Sequence, residues 1–339
     1  MSLIKYTIKR LFAIIPILFG VMTLTFFLSR MMPGDPVLAY LPAGRPNPEL
    51  YERIKNILWL DRPLSLQYLK YLGDLFTGNW GLSISISHGT PVWKLIIEKI
   101  PRTIDIAIFS ILIAGFLGTK TGLISATNRN KPKDTLIRGL ALIGVSIPVF
   151  YLGILFQYWL AYVIGWFPAT GFKTRSYPNP PFITGFRLID SLLSGQLYLV
   201  SDYFYHLILP VFCLSFINIA SITRQSRSNM LEVLEQDYIR SARAKGCPER
   251  EVIHIHAQRN SLIPTITVIG LNFAGLLSGA VLTEITFNLN GLGKLLTDSI
   301  YAADYWVLNA LVFVITIIFV TLNLVVDLIY ALLDPRIRY

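Results

Sequence analysis

Charge is what this sequence has little of. Asp, Glu, Lys and Arg make up 15% of its 339 residues, against about 25% in soluble globular chains. Acid is scarcer than base, 20 residues against 30. Cysteine is nearly absent. Cys213 lies in an apolar run and Cys247 in a basic stretch, so no disulfide and no CxxC metal knuckle is expected. There is no Gly-x-x-x-x-Gly-Lys-Ser/Thr loop to cradle a triphosphate, and Gly118-Thr-Lys-Thr is only a superficial likeness, so the chain is not expected to hydrolyse ATP. No His-Glu-x-x-His and no nucleophile–base pair stands within the apolar runs, which speaks against an intramembrane hydrolase. His254 and His256 are two residues apart and diverge on a helix, which disfavours a metal site. No cofactor is expected.

What is abundant is apolar length: 53% of the chain is hydrophobic. Six stretches approach the 20 or so residues that cross a bilayer: Ile8–Ser29, Thr103–Ala126, Gly139–Ile164, Tyr203–Thr223, Asn260–Thr283 and Tyr305–Leu328. The first follows Lys5, Lys9 and Arg10 like a signal peptide. It is as long as a span and no small-residue cleavage site follows, so it reads as a retained helix. Asp105 and Lys120 lie near the two ends of the second stretch, from where both can snorkel to the interface. Pro16, Pro148 and Pro210 can kink their spans.

The net charge of +10 would suit nucleic acid. However, the basic residues are strung between apolar runs rather than gathered in one patch, so lipid, not nucleic acid, is the expected partner. About sixteen Lys and Arg fall in the N-terminus, 127–138, 224–259 and the C-terminal tail, and about four in 165–202 and 284–304. The bias places both termini in the cytoplasm of a multi-pass cell-membrane protein. Segment 30–102 carries about nine more, but long loops translocate largely regardless of charge. It reads as a folded external subdomain with helices near Glu49–Leu60 and Ser65–Phe76. The expected organisation is 1–29 (N-terminus and first span), 30–102 (external subdomain) and 103–339 (five-span core). Tyr177-Pro-Asn-Pro-Pro181 excludes regular helix from the second external segment.

The internal loop 224–262 holds the most specific signals. A helix over about Leu231–Lys245 is expected to end on Gly246 as a left-handed cap. Pro248 then opens a second helix, and Glu249 and Glu251 complement its N-terminus. Small residues Ser241, Ala242, Ala244 and Gly246 allow close approach, and Arg240, Arg243, Lys245 and Arg250 supply charge. A docking knob for a cytoplasmic protein and a solvated positive loop both fit. A DNA-reading helix–turn–helix does not, because both ends feed into spans.

The loop resembles the coupling loop of binding-protein-dependent ABC importer permeases. The whole chain is similar to the first permease subunit of the dipeptide/oligopeptide/nickel importer family. The likeness runs through FFLSRMMPGDPV, LDRPLSLQYLKYLGDLFTGNWGLS (Leu60–Ser83), PVWKLIIEKIPRTIDIAI (Pro91–Ile108), SIPVFYLGILFQ, GWFPATG, HLILP, GLNFAGLLSGAVLTEITFNLNGLGKLL (Gly270–Leu296) and NLVVDLIYALLDPRIRY. It departs from the general loop motif where Arg240-Ser241-Ala242 replaces Glu-Ala-Ala, and where His256, Gln258 and Arg259 precede a delayed Pro264. Asn79 stands where an acid is common. The resemblance implies an all-α fold with six transmembrane helices of the type I importer permease. It implies a second permease, two ATP-binding-cassette ATPases and an extracellular solute-binding protein as partners, with ATP hydrolysed by the ATPases. It implies peptide cargo, with nickel chelates or oligosaccharides as alternatives. A secondary transporter would want acids at mid-membrane or repeated broken helices.

Single residues carry further expectations. Pro33-Gly34-Asp35-Pro36 forms a turn just outside the first span, capped by Asp35. Asn218 and Asn272 are pathway candidates, with hydrogen bonding between helices as the alternative. Glu284 and Asp327 sit near span ends, interfacial or paired, and His206 is a packing residue. Gly270, Gly275 and Gly279 mark close packing in the fifth span.

Overall fold

The computed structural model describes residues 3–31, 37–38, 41 and 48–333. The turn Pro33–Pro36 lies outside the described residues. The chain runs α1 (Leu3–Met31), α2 (Pro48–Ile57), α3 (Leu64–Thr77), α4 (Val92–Thr127), α5 (Pro132–Ser146), α6 (Val149–Phe156, extended by a π turn over Gln157–Val163), α7 (Arg187–Leu193) and α8 (Leu197–Leu234). It continues as α9 (Asp237–Ala244), the single turn α10 (Glu249–Glu251), a π stretch Val252–Ala257, α11 (Gln258–Gly279), α12 (Val281–Thr286), α13 (Leu292–Tyr301) and α14 (Tyr305–Leu333). Among the described residues five helices are long and apolar enough to cross a membrane, and counting the bent pair α5–α6 as one span gives six.

That pair covers the expected span over Gly139–Ile164, and it is bent at the proline expected to kink it: its halves meet at 99°. Pro148 cannot donate to the preceding turn, and it forces Ile147 into extended backbone (φ −88°, ψ 124°). Pro16 and Pro210, by contrast, lie inside unbroken helices.

α4 and α8 form the central pair. Ser110, Ala114, Gly118, Gly122 and Ala126 recur every fourth residue of α4 and are all buried. An added Cβ would stand 2.8 Å from Ile222 at Gly118 and 2.6 Å from Ser226 at Gly122. Close approach brings polar groups within reach across the seam. Thr121 Oγ1 and Thr223 Oγ1 are 2.7 Å apart, and Ser215 Oγ donates to the Ser110 carbonyl at 3.1 Å. Small residues with interhelical hydrogen bonds are how helices associate in lipid, where apolar burial offers no advantage. In the fifth span, Gly270 meets Val326 of α14 as expected, but a Cβ at Gly275 would meet open space. Among the described residues no side chain fills the space beside Gly275.

Several acidic side chains turn inward. Asp105 does not snorkel: it is buried and accepts from Tyr203 Oη at 2.7 Å. Its position at the head of the α4–α8 seam puts a phenol nearer than water. Glu284 is fully buried and accepts from Thr103 Oγ1 (2.6 Å) and the Lys294 amide (3.0 Å). Gly291 and Gly293 leave room for that carboxylate. Asp327 pairs with Arg10 at 2.9 Å. His206 is buried, with Nδ1 2.8 Å from the Asp202 carbonyl.

Residues 78–91 join α3 to α4. Asn79 Nδ2 donates to Asp74 at 3.3 Å. Asp304, buried at the N-terminus of α14, accepts through Oδ2 from Ser83 Oγ (2.7 Å) and from the amides of Ile84 (3.0 Å), Ser85 (3.2 Å) and Ile86 (3.4 Å). Its Oδ1 faces the Val307 amide at 3.4 Å, so one carboxylate caps a span and clasps a loop 220 residues away in sequence.

Candidate coupling site

The expected helix over Leu231–Lys245 is two pieces. α8 stops at Leu234, Gln236 is extended (φ −70°, ψ 150°), and α9 restarts at Asp237. The break turns α9 back so that Ile239 and Ala242, three residues apart on one face, bury against Ala126, Met230, Val252 and Ala257. A straight continuation would leave Ile239 in water. Ala242 is therefore a packing residue within the chain, not an exposed small contact.

The turn after α9 forms as the glycine implies. Gly246 has φ +80°. Its amide donates to the Arg243 carbonyl at 3.0 Å and the Cys247 amide to the Ala242 carbonyl at 3.2 Å, the paired bonds of a Schellman end. Pro248 precedes the next turn rather than lying inside it. Across the bend Arg243 holds Glu249 with two bonds, Nε–Oε2 at 3.1 Å and Nη2–Oε1 at 2.8 Å. The bonded carboxylate raises the Arg243 pKa above its ordinary value. An exposed pair adds at most about 1 kcal/mol, so its effect is to fix the bend. Arg240, Ser241, Lys245 and Arg250 remain exposed. Lys245 and Arg250 form no ion pair among the described residues, while Arg240 reaches Asp237 at 3.3 Å.

Beneath the bend lies a group that the sequence reading passed over. Asp134, with no exposed side-chain surface, accepts two bonds from Arg227 at 2.8 and 2.9 Å, one from Ser125 Oγ and one from the Asn130 amide at 3.0 Å. This ties the ends of α4, α5 and α8 together. Arg129 reaches Glu235 at 2.9 Å above it. The readable signal was local: Pro132-Lys-Asp134 places an acid in the first turn of α5. Its arginine is 93 residues away, beyond any spacing rule.

The two asparagines do not meet the site. Asn218 Nδ2 donates within its own helix, to the Leu214 carbonyl at 2.7 Å. Asn272 Nδ2 is buried and has no hydrogen-bond partner among the described residues.

Comparison with known proteins extends this picture. Residues 118–339 match the family described as binding-protein-dependent transport system inner membrane component, and residues 3–107 match the N-terminal family of such membrane components. The chain is 40% identical to the di/tripeptide transport system permease protein DppB of Pseudomonas aeruginosa over 99% of both chains. It is 38% identical to the dipeptide transport system permease protein DppB of Alkalihalophilus pseudofirmus, over 99% of this chain and 100% of that one. It is 36% identical to the oligopeptide transport system permease protein AppB of Bacillus subtilis, over 98% and 99%. With the apolar helices and the capped loop already in place, these full-length matches lead to one assignment: the chain belongs to the binding-protein-dependent transport system inner membrane components, the multi-pass permease subunits of ABC importers.

Proposed function

We propose that this chain forms half of a translocation pathway for di- and oligopeptides, and that the 235–257 segment couples it to a cytoplasmic ATPase. One observation carries the coupling reading. The segment is a preformed knob, with an apolar underside sealed by Ile239, Ala242 and Val252 and a basic upper face of Arg240, Lys245 and Arg250. A flexible loop would absorb a push, whereas a packed knob passes it to the helices it is built on. Here those are α8 and α11, with α4 and α5 tied in through Asp134. ATPase closure would then tilt these spans between two packed states. The peptide reading rests on the relatives that are named as peptide permeases.

In this reading both termini are cytoplasmic, the 48–91 segment faces outward to receive a solute-binding protein, and a second permease completes the pathway. The two ATPases hydrolyse the ATP, and this chain performs no catalysis. The test is Arg240→Glu with Arg250→Glu in the assembled importer. Co-purifying ATPase and ATP-dependent peptide uptake should fall at least tenfold while the chain inserts at wild-type level. Unchanged uptake and ATPase recovery would remove the coupling role.

A further inference from the structure

Between α5 and α8, at the end of the bundle that carries the coupling knob, lies a groove of about 580 Å³. Its walls are graded. Arg138, Arg224, Arg227 and Ser228 line the end toward the knob, and Leu142, Val145 and Ala220 line the deeper end. The gradient follows from antiparallel helices. α5 runs inward from its polar first turns and α8 runs outward toward its polar last turns, so like chemistry meets at each level. Arg227 is spoken for by Asp134. Arg138 and Arg224 are exposed and form no ion pair or hydrogen bond among the described residues.

We propose that this groove binds an anionic phospholipid, with its phosphate between Arg138 and Arg224 and an acyl chain along Leu142 and Val145. The two features point to the same occupant. Unpaired guanidiniums at the interfacial end of a span want an oxyanion, and basic pockets between membrane helices are suited to acidic headgroups. A soluble anion such as phosphate or a peptide carboxylate would satisfy the arginines but would leave the apolar half of the groove empty. A phospholipid matches both ends, its phosphate at the arginines and an acyl chain along the apolar wall. The reading requires only that α5 and α8 cross the membrane, and it does not depend on the cargo or on the coupling role.

The experiment uses the chain in the assembly with which it purifies, in detergent, with native mass spectrometry counting retained lipid. Wild type should retain added phosphatidylglycerol over phosphatidylcholine. Arg138→Gln with Arg224→Gln should weaken phosphatidylglycerol retention about thirty-fold, since each basic side chain near a membrane surface contributes about 1 kcal/mol. Arg138→Lys with Arg224→Lys should keep most of it. A wild-type arm needs no variant to fold: phosphatidylglycerol should resist displacement by millimolar inorganic phosphate and by a dipeptide. Equal retention of the two lipids by wild type overturns the proposal. So does displacement by phosphate or dipeptide, which would make the site one for a soluble oxyanion.

Discussion

At the scale of single residues, the acids of this chain are few and most of those near the membrane are committed. Asp134 shows the energetic stake. It is a buried carboxylate with four hydrogen bonds, two of them from one guanidinium. Removing one partner of a buried pair leaves an uncompensated charge, at a cost of about 3–5 kcal/mol. Asp134→Ala should therefore destabilise the chain by that order in a denaturant or thermal unfolding assay. Asp134→Leu with Arg227→Met should cost clearly less than the sum of the two single changes. Additive losses would mean that the two groups act independently. Gly246 poses a different residue-scale problem. At φ +80° a Cβ is disfavoured by about 1–2 kcal/mol, so bulk tested there mixes backbone strain with any loss of docking. Gly246→Asn, which tolerates this conformation, separates the two.

At the scale of elements, the α4–α8 seam decides whether the bundle forms. The four-residue recurrence of Ser110, Ala114, Gly118, Gly122 and Ala126 was legible in the sequence, yet the glycines of the fifth span drew attention instead. Of those, Gly270 stands against Val326, whereas a Cβ at Gly275 would meet open space among the described residues. Spacing states which residues share a face but not which face meets a neighbour. Gly122→Leu should disrupt the seam by more than the 1–3 kcal/mol typical of an overpacked core, because the Thr223 carbonyl as well as Ser226 stands in the way. Gly275→Leu should leave the thermal stability of the isolated chain nearly unchanged. Comparable loss from both would contradict this assignment of the seam. The kink at Pro148 was legible as a possibility, since proline breaks a helix by a local rule. The 99° angle was not, because it depends on where α6 finds its neighbours.

At the scale of the molecule, Asp304 joins the turn before α4 to the start of the last span. Four of its hydrogen bonds come from Ser83, Ile84, Ser85 and Ile86, and bonds to a charged group contribute about 1.5–3 kcal/mol each. Asp304→Ala should release this turn, with hydrogen exchange of the Ile84–Ile86 amides accelerating at least about tenfold. The knob at the other end of the bundle should keep its protection. If exchange there rises equally, the clasp would prove to be part of the global fold rather than a local tie.

The sequence by itself determined the membrane class, the number of apolar spans, the left-handed cap at Gly246 and the family. These follow from composition, run length and residues that act on their immediate neighbours, all of which are local quantities. Tertiary structure alone decided the break at Glu235–Gln236, the inward turn of Ala242, the partners of Asp105, Asp134, Glu284 and Asp304, and the graded groove between α5 and α8. Each of these rests on contacts between residues far apart in the chain. A lone carboxylate near an apolar run reads as interfacial until packing supplies its donor, and away from water that donor must come from elsewhere in the protein.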